Sequence, residues 1–346
     1  MDNQVEKNVE SSNKEDFTEE ECEEEEADDS SDDDMNTVYE WKFKQLIGKG
    51  SQSSVYLVVN TQTNQVGAAK VYQRSTLLRR SFEIETPLYI SVVNEIKLMA
   101  SLSHRYVLPL KEVVDDDVTK TLILFMPYAK YGDLQSYVDD NPGKISENMF
   151  SVFFYDIAEA MKFIHSKDVV HRDLKPENVL VLSEERCVLA DFSVSATLES
   201  PDQKFNDSKG PPAYLAPEEL NGDEYYPKPA DVWSFGVAMY KCLFGYFPFN
   251  IDKGKGQSAA STIVLVTNLV NKEELIIPNN NYDPHAIELI QSTLQKDPSK
   301  RPTFEQILTN PWFDHSRSID EKIIKEFEEE QKKKNEKSST TNSENK

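Results

Sequence analysis

Cysteine is scarce in this chain: Cys22, Cys187 and Cys242 are an odd number at scattered positions. They form neither a disulfide framework nor a zinc-binding pattern, which fits a reducing compartment. Basic residues are outnumbered, with 38 Lys and Arg against 61 Asp and Glu and a net charge of -23. Such a chain repels phosphate backbones, so nucleic-acid binding is not expected. Long apolar runs are missing too. Leu122–Met126 and Ile263–Val266 are among the longest, far short of the ~20 residues that cross a bilayer. The first residues are polar and acidic, without the apolar core of a secretory signal. A soluble, cytoplasmic protein with no membrane partner is expected.

The acidity is uneven. Residues 1–38 hold 17 acids and two lysines, Lys7 and Lys14. Glu19–Glu26 and Asp28–Asp34 are blocks of like charge that should stay extended and outside any fold. This acidic tail reads either as a solubilising segment or as a self-inhibitory or partner-binding one. The chain is long enough for one large domain or for two lobes plus tails.

Order is expected from Tyr39. Trp41, Phe43 and Leu46 alternate as in a strand. Ile47 then leads into Gly48-Lys49-Gly50-Ser51-Gln52-Ser53-Ser54-Val55, followed by the apolar Tyr56–Val59. Glycines let a backbone lie close over phosphates. A dinucleotide fingerprint would open a helix, whereas this one stands between strands, as a flap does. Ala68-Ala69-Lys70-Val71 ends the next strand, and Val92, Val93, Ile96 and Met99 mark a helix that carries Glu95. Leu122–Met126 reads as a buried strand, Pro127-Tyr128-Ala129 as a connection, and Gly132-Asp133-Leu134 as the start of a second region. The stripe Phe153, Phe154, Ile157, Met161 and Ile164 predicts a core-facing helix over 150–166.

Next come His171-Arg172-Asp173-Leu174-Lys175-Pro176-Glu177-Asn178, with Leu180 just beyond, and then Asp191-Phe192-Ser193, Ala216-Pro217-Glu218, Asp231-Val232-Trp233 and Arg301. Past Phe313, Ser318-Ile319-Asp320-Glu321 has capping-box form, and Ile319, Ile323 and Phe327 share a helical face. A helix over 319–334 follows, either docked on the domain or binding calmodulin. Glu326 and Glu328–Glu330 speak against calmodulin. Residues 338–346 are expected to be disordered.

Across residues 41–313 these motifs and their order resemble the eukaryotic protein kinases of serine/threonine type. The resemblance implies an α+β, bilobal fold: a small, mostly β lobe over about 39–126, a hinge at 127–130 and a larger, mostly helical lobe over 131–313. It implies ATP and Mg2+ as cofactors and a protein substrate. Catalytic roles fall to Asp173, which orients the substrate hydroxyl, to Lys175, and to Lys70 paired with Glu95. Nucleotide contacts fall to Ile47, Gly48, Lys49, Gly50, Ser51, Val55, Ala68, Lys70, Met126, Pro127, Ala129, Asp133, Glu177 and Leu180. Asn178 and Asp191 are the implied metal ligands. Met99, Leu110, His171 and Phe192 form one implied internal column, anchored by Asp231; Glu218 and Arg301 form an implied buried bridge.

Within the family, Leu77-Leu78-Arg79, Asp191-Phe192-Ser193-Val194-Ser195 and Gly210-Pro211-Pro212-Ala213-Tyr214 resemble the calmodulin-dependent group, nearest its kinase-kinase branch. That implies other kinases as substrates. Ser53, Ser193 and Pro211 depart from the family's glycine, glycine and threonine. Because the charged set is complete, an active kinase is expected over a catalytically weak kinase or pseudokinase scaffold. Arg172 stands where the family binds an activation-loop phosphate, with Thr197, Ser200 and Ser208 as candidates and Asp202 and Asp207 as partial substitutes. Asp133 and Glu177 beside Lys241 imply a mild taste for one basic substrate residue.

Overall fold

The computed structural model describes residues 37–50, 52–78, 88–183, 185–254, 259–322 and 324. The acidic segment up to residue 36, Ser51, Arg79, and Ile323 and Phe327 of the C-terminal stripe lie outside the described residues.

The first half is a six-stranded antiparallel sheet. In chain order it contains β1 (Thr37–Val38), β2 (Trp41–Lys49), β3 (Ser54–Asn60), β4 (Val66–Gln73), β5 (Glu112–Asp116) and β6 (Thr121–Pro127), arranged β1-β2-β3-β4-β6-β5. Helices α1 (Arg74–Leu77) and α2 (Leu88–Ser101) interrupt it between β4 and β5. Alternation sets the two faces of this sheet. Val58, Ala69, Ile123 and Phe125 pack with Trp41, stacked on Phe125 at 5.0 Å, on one side. On the other, Ala68, Tyr72, Leu124 and Met126 pack against Val92 of α2. Gly67 lets the layers close, because a Cβ there would lie 3.0 Å from the Trp41 ring and 3.2 Å from the Met126 carbonyl oxygen. β2 is irregular between Phe43 and Gly48, where its register with β3 shifts twice, and such shifts twist and bend a strand.

The second half is mainly helical: α3 (Leu134–Asp140), α4 (Glu147–Ser166), α5 (Pro217–Leu220), α6 (Pro227–Phe244), α7 (Ala259–Lys272), α8 (Pro284–Thr293) and α9 (Phe304–Ile307). Short strand pairs sit among them, β7 (Val169–Val170) with β10 (Ala196–Thr197) and β8 (Val179–Ser183) with β9 (Arg186–Leu189). Ser146 caps α4 by accepting from the Met149 N–H at 3.2 Å. α4 starts a turn before Phe150 and buries the predicted stripe, with Phe153, Phe154, Met161 and Ile164 fully enclosed. Each such side chain removed from water contributes ~1.5–3 kcal/mol. α6 carries Trp233 and Phe235 through the centre of the same core and ends at Gly245, whose φ of 79° breaks the helix. Among the described residues no helix is long and apolar enough to cross a membrane.

The C-terminal helix differs from the sequence expectation. It occupies residues 314–322, so Ser318 lies inside it, donates to the His315 carbonyl and caps nothing. The start is set by tertiary anchors that a capping pattern does not report. Ser316 is buried and paired with Ser151 of α4 at 2.8 Å. This segment is α10.

Candidate active site

The site lies where the sheet meets the helical half, and its residues arrive on strands, helices and loops from both. Lys70 projects from β4 and its Nζ meets Glu95 Oε1 of α2 at 2.8 Å. Tyr72, two residues along the same strand and so on the same face, donates to Glu95 Oε2 at 3.3 Å. Burial acts to lower the Lys70 pKa, but Glu95, Tyr72 and Asp191 outweigh it and hold the ammonium more firmly protonated than usual. Glu95 is 4 % exposed, so this is a buried ion pair that fixes the Lys70 ammonium rather than a surface one. Tyr72 was missed by sequence reasoning; the two-residue spacing from Lys70 was its only signal.

The catalytic-loop segment runs between β7 and β8. Asp173 Oδ2 accepts from Lys175 Nζ at 2.7 Å and from Asn178 Nδ2 at 3.0 Å. Its Oδ1 is buried and has no hydrogen-bond partner. A buried acceptor without a partner carries an unmet desolvation cost, which a substrate hydroxyl would relieve. Gly210 (φ 82°) lies against this atom; a Cβ there would be 2.6 Å from Oδ1. Asn178 also gives its amide nitrogen to the Asp173 carbonyl at 2.8 Å, so its amide oxygen is the end left to meet a cation.

Asp231 of α6 holds this loop from beneath, accepting from the backbone N–H groups of His171 at 2.9 Å and Arg172 at 2.8 Å. Burial works to raise the Asp231 carboxyl, but the His165 imidazole, 2.9 Å away, and the Arg172 N–H hold it below the ordinary carboxylate range. The His171 ring meets Phe192 at 5.3 Å, and Met99 and Phe192 share the core against which Leu110 packs. Val55, Ala68, Met126 and Leu180 come together as a second apolar group.

Asp191 follows β9 at φ 59°, and its carboxylate accepts from the Ser193 N–H at 3.3 Å. Burial would raise this carboxyl, but Lys70 and Ser193 lower it further, keeping it anionic. Ile47 and Lys49 are exposed on β2, and Gly48 pairs with Val55 across the turn that Gly50 closes by donating to the Ser53 carbonyl. Pro127 ends β6, paired with Gly67, and Ala129 follows in the connection.

Two expected contact residues are already engaged. Asp133 caps α3, accepting from the Ser136 N–H at 2.9 Å and its hydroxyl at 2.7 Å. Glu177 lies 3.4 Å from Lys241 Nζ, which also donates to Tyr214 Oη at 3.0 Å. Arg172 is engaged as well. Its Nη2 donates to Asp207 Oδ1 at 2.6 Å and to the Asp207 carbonyl at 2.9 Å, with the guanidinium 4.6 Å over the Phe205 ring. Burial would raise the Asp207 carboxyl, but Arg172 and Lys209 hold it below its ordinary value. Of the candidate phosphate acceptors, Ser208 uses its hydroxyl to donate to the Glu219 carbonyl at 3.0 Å, and Thr197 sits in β10 opposite Val169. Arg301 Nη1 and Nη2 grip Glu218 at 2.7 and 2.8 Å, forming the buried bridge.

The protein kinase domain family matches residues 41–313. The chain is 31% identical over 280 residues to serine/threonine-protein kinase GRIK2 of Arabidopsis thaliana, covering 80% of this chain and 66% of that one. It is 32% identical over 277 residues to CBL-interacting serine/threonine-protein kinase 20 of the same plant, covering 79% and 58%. It is 32% identical over 276 residues to the ovarian-specific serine/threonine-protein kinase Lok of Drosophila melanogaster, covering 77% and 55%. The chain spans a little under two thirds of the first relative's length and less of the other two. It belongs to the protein kinase family, whose members generally use ATP and Mg2+.

Proposed function

We propose that the chain is an ATP-dependent protein serine/threonine kinase of the calmodulin-dependent group, acting in the cytoplasm on protein hydroxyls, those of other kinases included. The observation that carries the reading is Asp173: one carboxylate oxygen held by Lys175 and Asn178, the other buried and without a partner beside Gly210. Asp173 Oδ1 is placed to take the hydroxyl proton as the substrate oxygen bonds to the γ-phosphorus and the bond to the leaving diphosphate oxygen breaks. Lys175 stands beside the charge that develops, and Lys70, fixed by Glu95, supports the phosphates. Val55, Ala68, Met126 and Leu180 offer apolar faces for adenine.

Magnesium fits the residues present. The amide oxygen of Asn178 and the anionic Asp191 are hard oxygen ligands, and this ion takes few protein ligands beside substrate phosphates. Among the described residues no group of three or more His, Cys, Asp or Glu could hold a metal on its own, consistent with a site completed by phosphates. Held by Asn178 and Asp191, magnesium would supply positive charge that neutralises the phosphates.

Substrate choice rests on Pro211 and the occupied acids. Pro211 offers no hydroxyl to bridge Asp173 and Lys175, and those two meet directly at 2.7 Å. With Asp133 and Glu177 also engaged, a short basic peptide finds little to orient it, and misplacement alone costs ~10²-fold. The purified chain with magnesium ATP should therefore phosphorylate serine or threonine on an intact kinase better than on a generic peptide. Pro211→Thr should improve the peptide more than the folded substrate. Brisk phosphorylation of an Arg-rich peptide by the unsubstituted chain, indifferent to Pro211→Thr, would overturn the substrate reading. Absence of any magnesium-dependent phosphoryl transfer would overturn the activity itself.

Asp207 supports a loop that is set without a phosphate. Asp207→Ala should lower turnover by up to ~10²-fold through misplacement of the loop beside Asp173. It should also make the 194–209 segment more protease-sensitive, while phosphatase treatment leaves the unsubstituted chain unchanged. Because the Asp207 carboxyl is depressed, the clamp is intact at neutral pH and is lost as pH falls through that lowered pKa. Full activity in Asp207→Ala would refute the clamp.

A further inference from the structure

We propose that Asp320 of α10, which lies beyond the matched kinase domain, is a positioning residue that braces the loop after α2 against β9. Asp320 is 7 % exposed, and its carboxylate gathers four groups from three parts of the fold. Arg105 Nη1 donates to Oδ1 at 2.7 Å, and the Tyr106 hydroxyl donates to the same oxygen. Tyr155 of α4 donates to Oδ2 at 3.5 Å, and Arg186 Nη2, at the start of β9, lies 3.9 Å from Oδ1.

The Tyr106 ring sits within 5.6 Å of both guanidiniums, those of Arg105 and Arg186. Arg186 also reaches the buried Asp156 of α4 at 3.1 Å, so it is shared between two carboxylates, while Arg105 reaches Asp320 from the surface. Removing Asp320 would leave the buried Tyr106 and Tyr155 hydroxyls without this acceptor and the Arg186 guanidinium without its second carboxylate, which is costly.

The connection to the active site is covalent and hydrogen-bonded. Arg105 and Tyr106 stand on the loop that ends α2, the helix of Glu95. That loop is laced to β9: the Leu189 N–H donates to the Tyr106 carbonyl and the Leu108 N–H to the Leu189 carbonyl, both at 2.8 Å. β9 runs on to Asp191. Asp320 thus touches both strips whose relative placement sets Glu95, and with it Lys70, against Asp191. The inference rests on the kinase reading only for its catalytic consequence; the mechanical claim stands by itself.

The test uses the full chain with Asp320→Ala, the near-isosteric Asp320→Asn in case the alanine variant does not fold, and Ser316→Ala as a control. Ser316 anchors the same helix to α4 through its hydrogen bond with Ser151, away from the carboxylate of Asp320 that meets 105–106 and 186. Amide hydrogen exchange in the absence of nucleotide should quicken about tenfold over 102–108 and 186–189 in the Asp320 variants, since local opening sets that rate. Ser316→Ala should quicken exchange only over 147–166 and 314–322. In parallel, the Asp320 variants should bind magnesium ATP about tenfold more weakly, measured below every variant's melting temperature, and the control should bind as the unsubstituted chain does. Unchanged exchange at 102–108 and 186–189 in a folded Asp320 variant overturns the brace. So does an exchange pattern that Ser316→Ala reproduces. Failure of the unsubstituted chain to bind magnesium ATP would instead strike the kinase reading and leave the exchange result to judge the brace.

Discussion

Asp173→Asn is expected to leave a folded protein whose kcat is reduced ~10²–10⁴-fold, the range for a positioned general base. The substitution keeps the side chain's shape and an oxygen for Lys175 and Asn178, so the melting temperature should stay close to that of the unsubstituted chain. What it removes is the carboxylate oxygen that faces Gly210 without a partner. KM for ATP should change little, because Asp173 serves the hydroxyl rather than the nucleotide. Near-normal turnover in the asparagine variant would remove Asp173 from the mechanism.

Arg301→Met is expected to destabilise the fold by ~3–5 kcal/mol, the cost of leaving a buried charge without its partner. The Arg301 side chain is fully enclosed and Glu218 is nearly so. Arg301 also donates to the carbonyls of Gln295, Pro229 and Lys296, so several acceptors lose their donor at once. For a domain of this size, thermal unfolding should drop by ~10 °C or more. Glu218→Leu combined with Arg301→Met should cost less than the two single changes added together, since neither charge is then stranded. Strict additivity would show that the bridge does not act as a pair.

The parts of the site legible in the sequence are those whose chemistry is local. Asp173, Lys175 and Asn178 fall within six residues, and their meeting follows from that spacing alone. Lys70 and Glu95 were legible through the family resemblance, as the strand lysine and helix glutamate that stand in order before the loop motifs; alone, each would read as a solvated surface charge, and the structure joins them at 2.8 Å. The bilobal division came from the family resemblance; the residues by themselves showed only early strand alternation and the later stripe of α4.

What was hidden depends on long-range packing. Arg105 and Asp320 are 215 positions apart, and no period or propensity links them. The start of α10 was misplaced for the same reason: Ser318-x-x-Glu321 is a sound local pattern, but Ser316 and Asp320 are fixed from outside the helix. Lys241 and Glu177 were noticed as neighbours of one function, yet their contact, and that of Arg172 with Asp207, needed the turn of α6 and the path of the loop.

Arg172 at φ 68° and Asp191 at φ 59° carry a further consequence. Neither is glycine, and each left-handed residue costs ~1–2 kcal/mol. The chain is therefore not at its most stable where it flanks the site. Glycine at position 191 would ease the backbone and raise heat tolerance, while removing an anion the chemistry requires. A search for hardier variants that scored melting temperature alone would select such changes and return poorer enzymes. Screens on this scaffold should read turnover first at these two positions and leave gains in robustness to the surface.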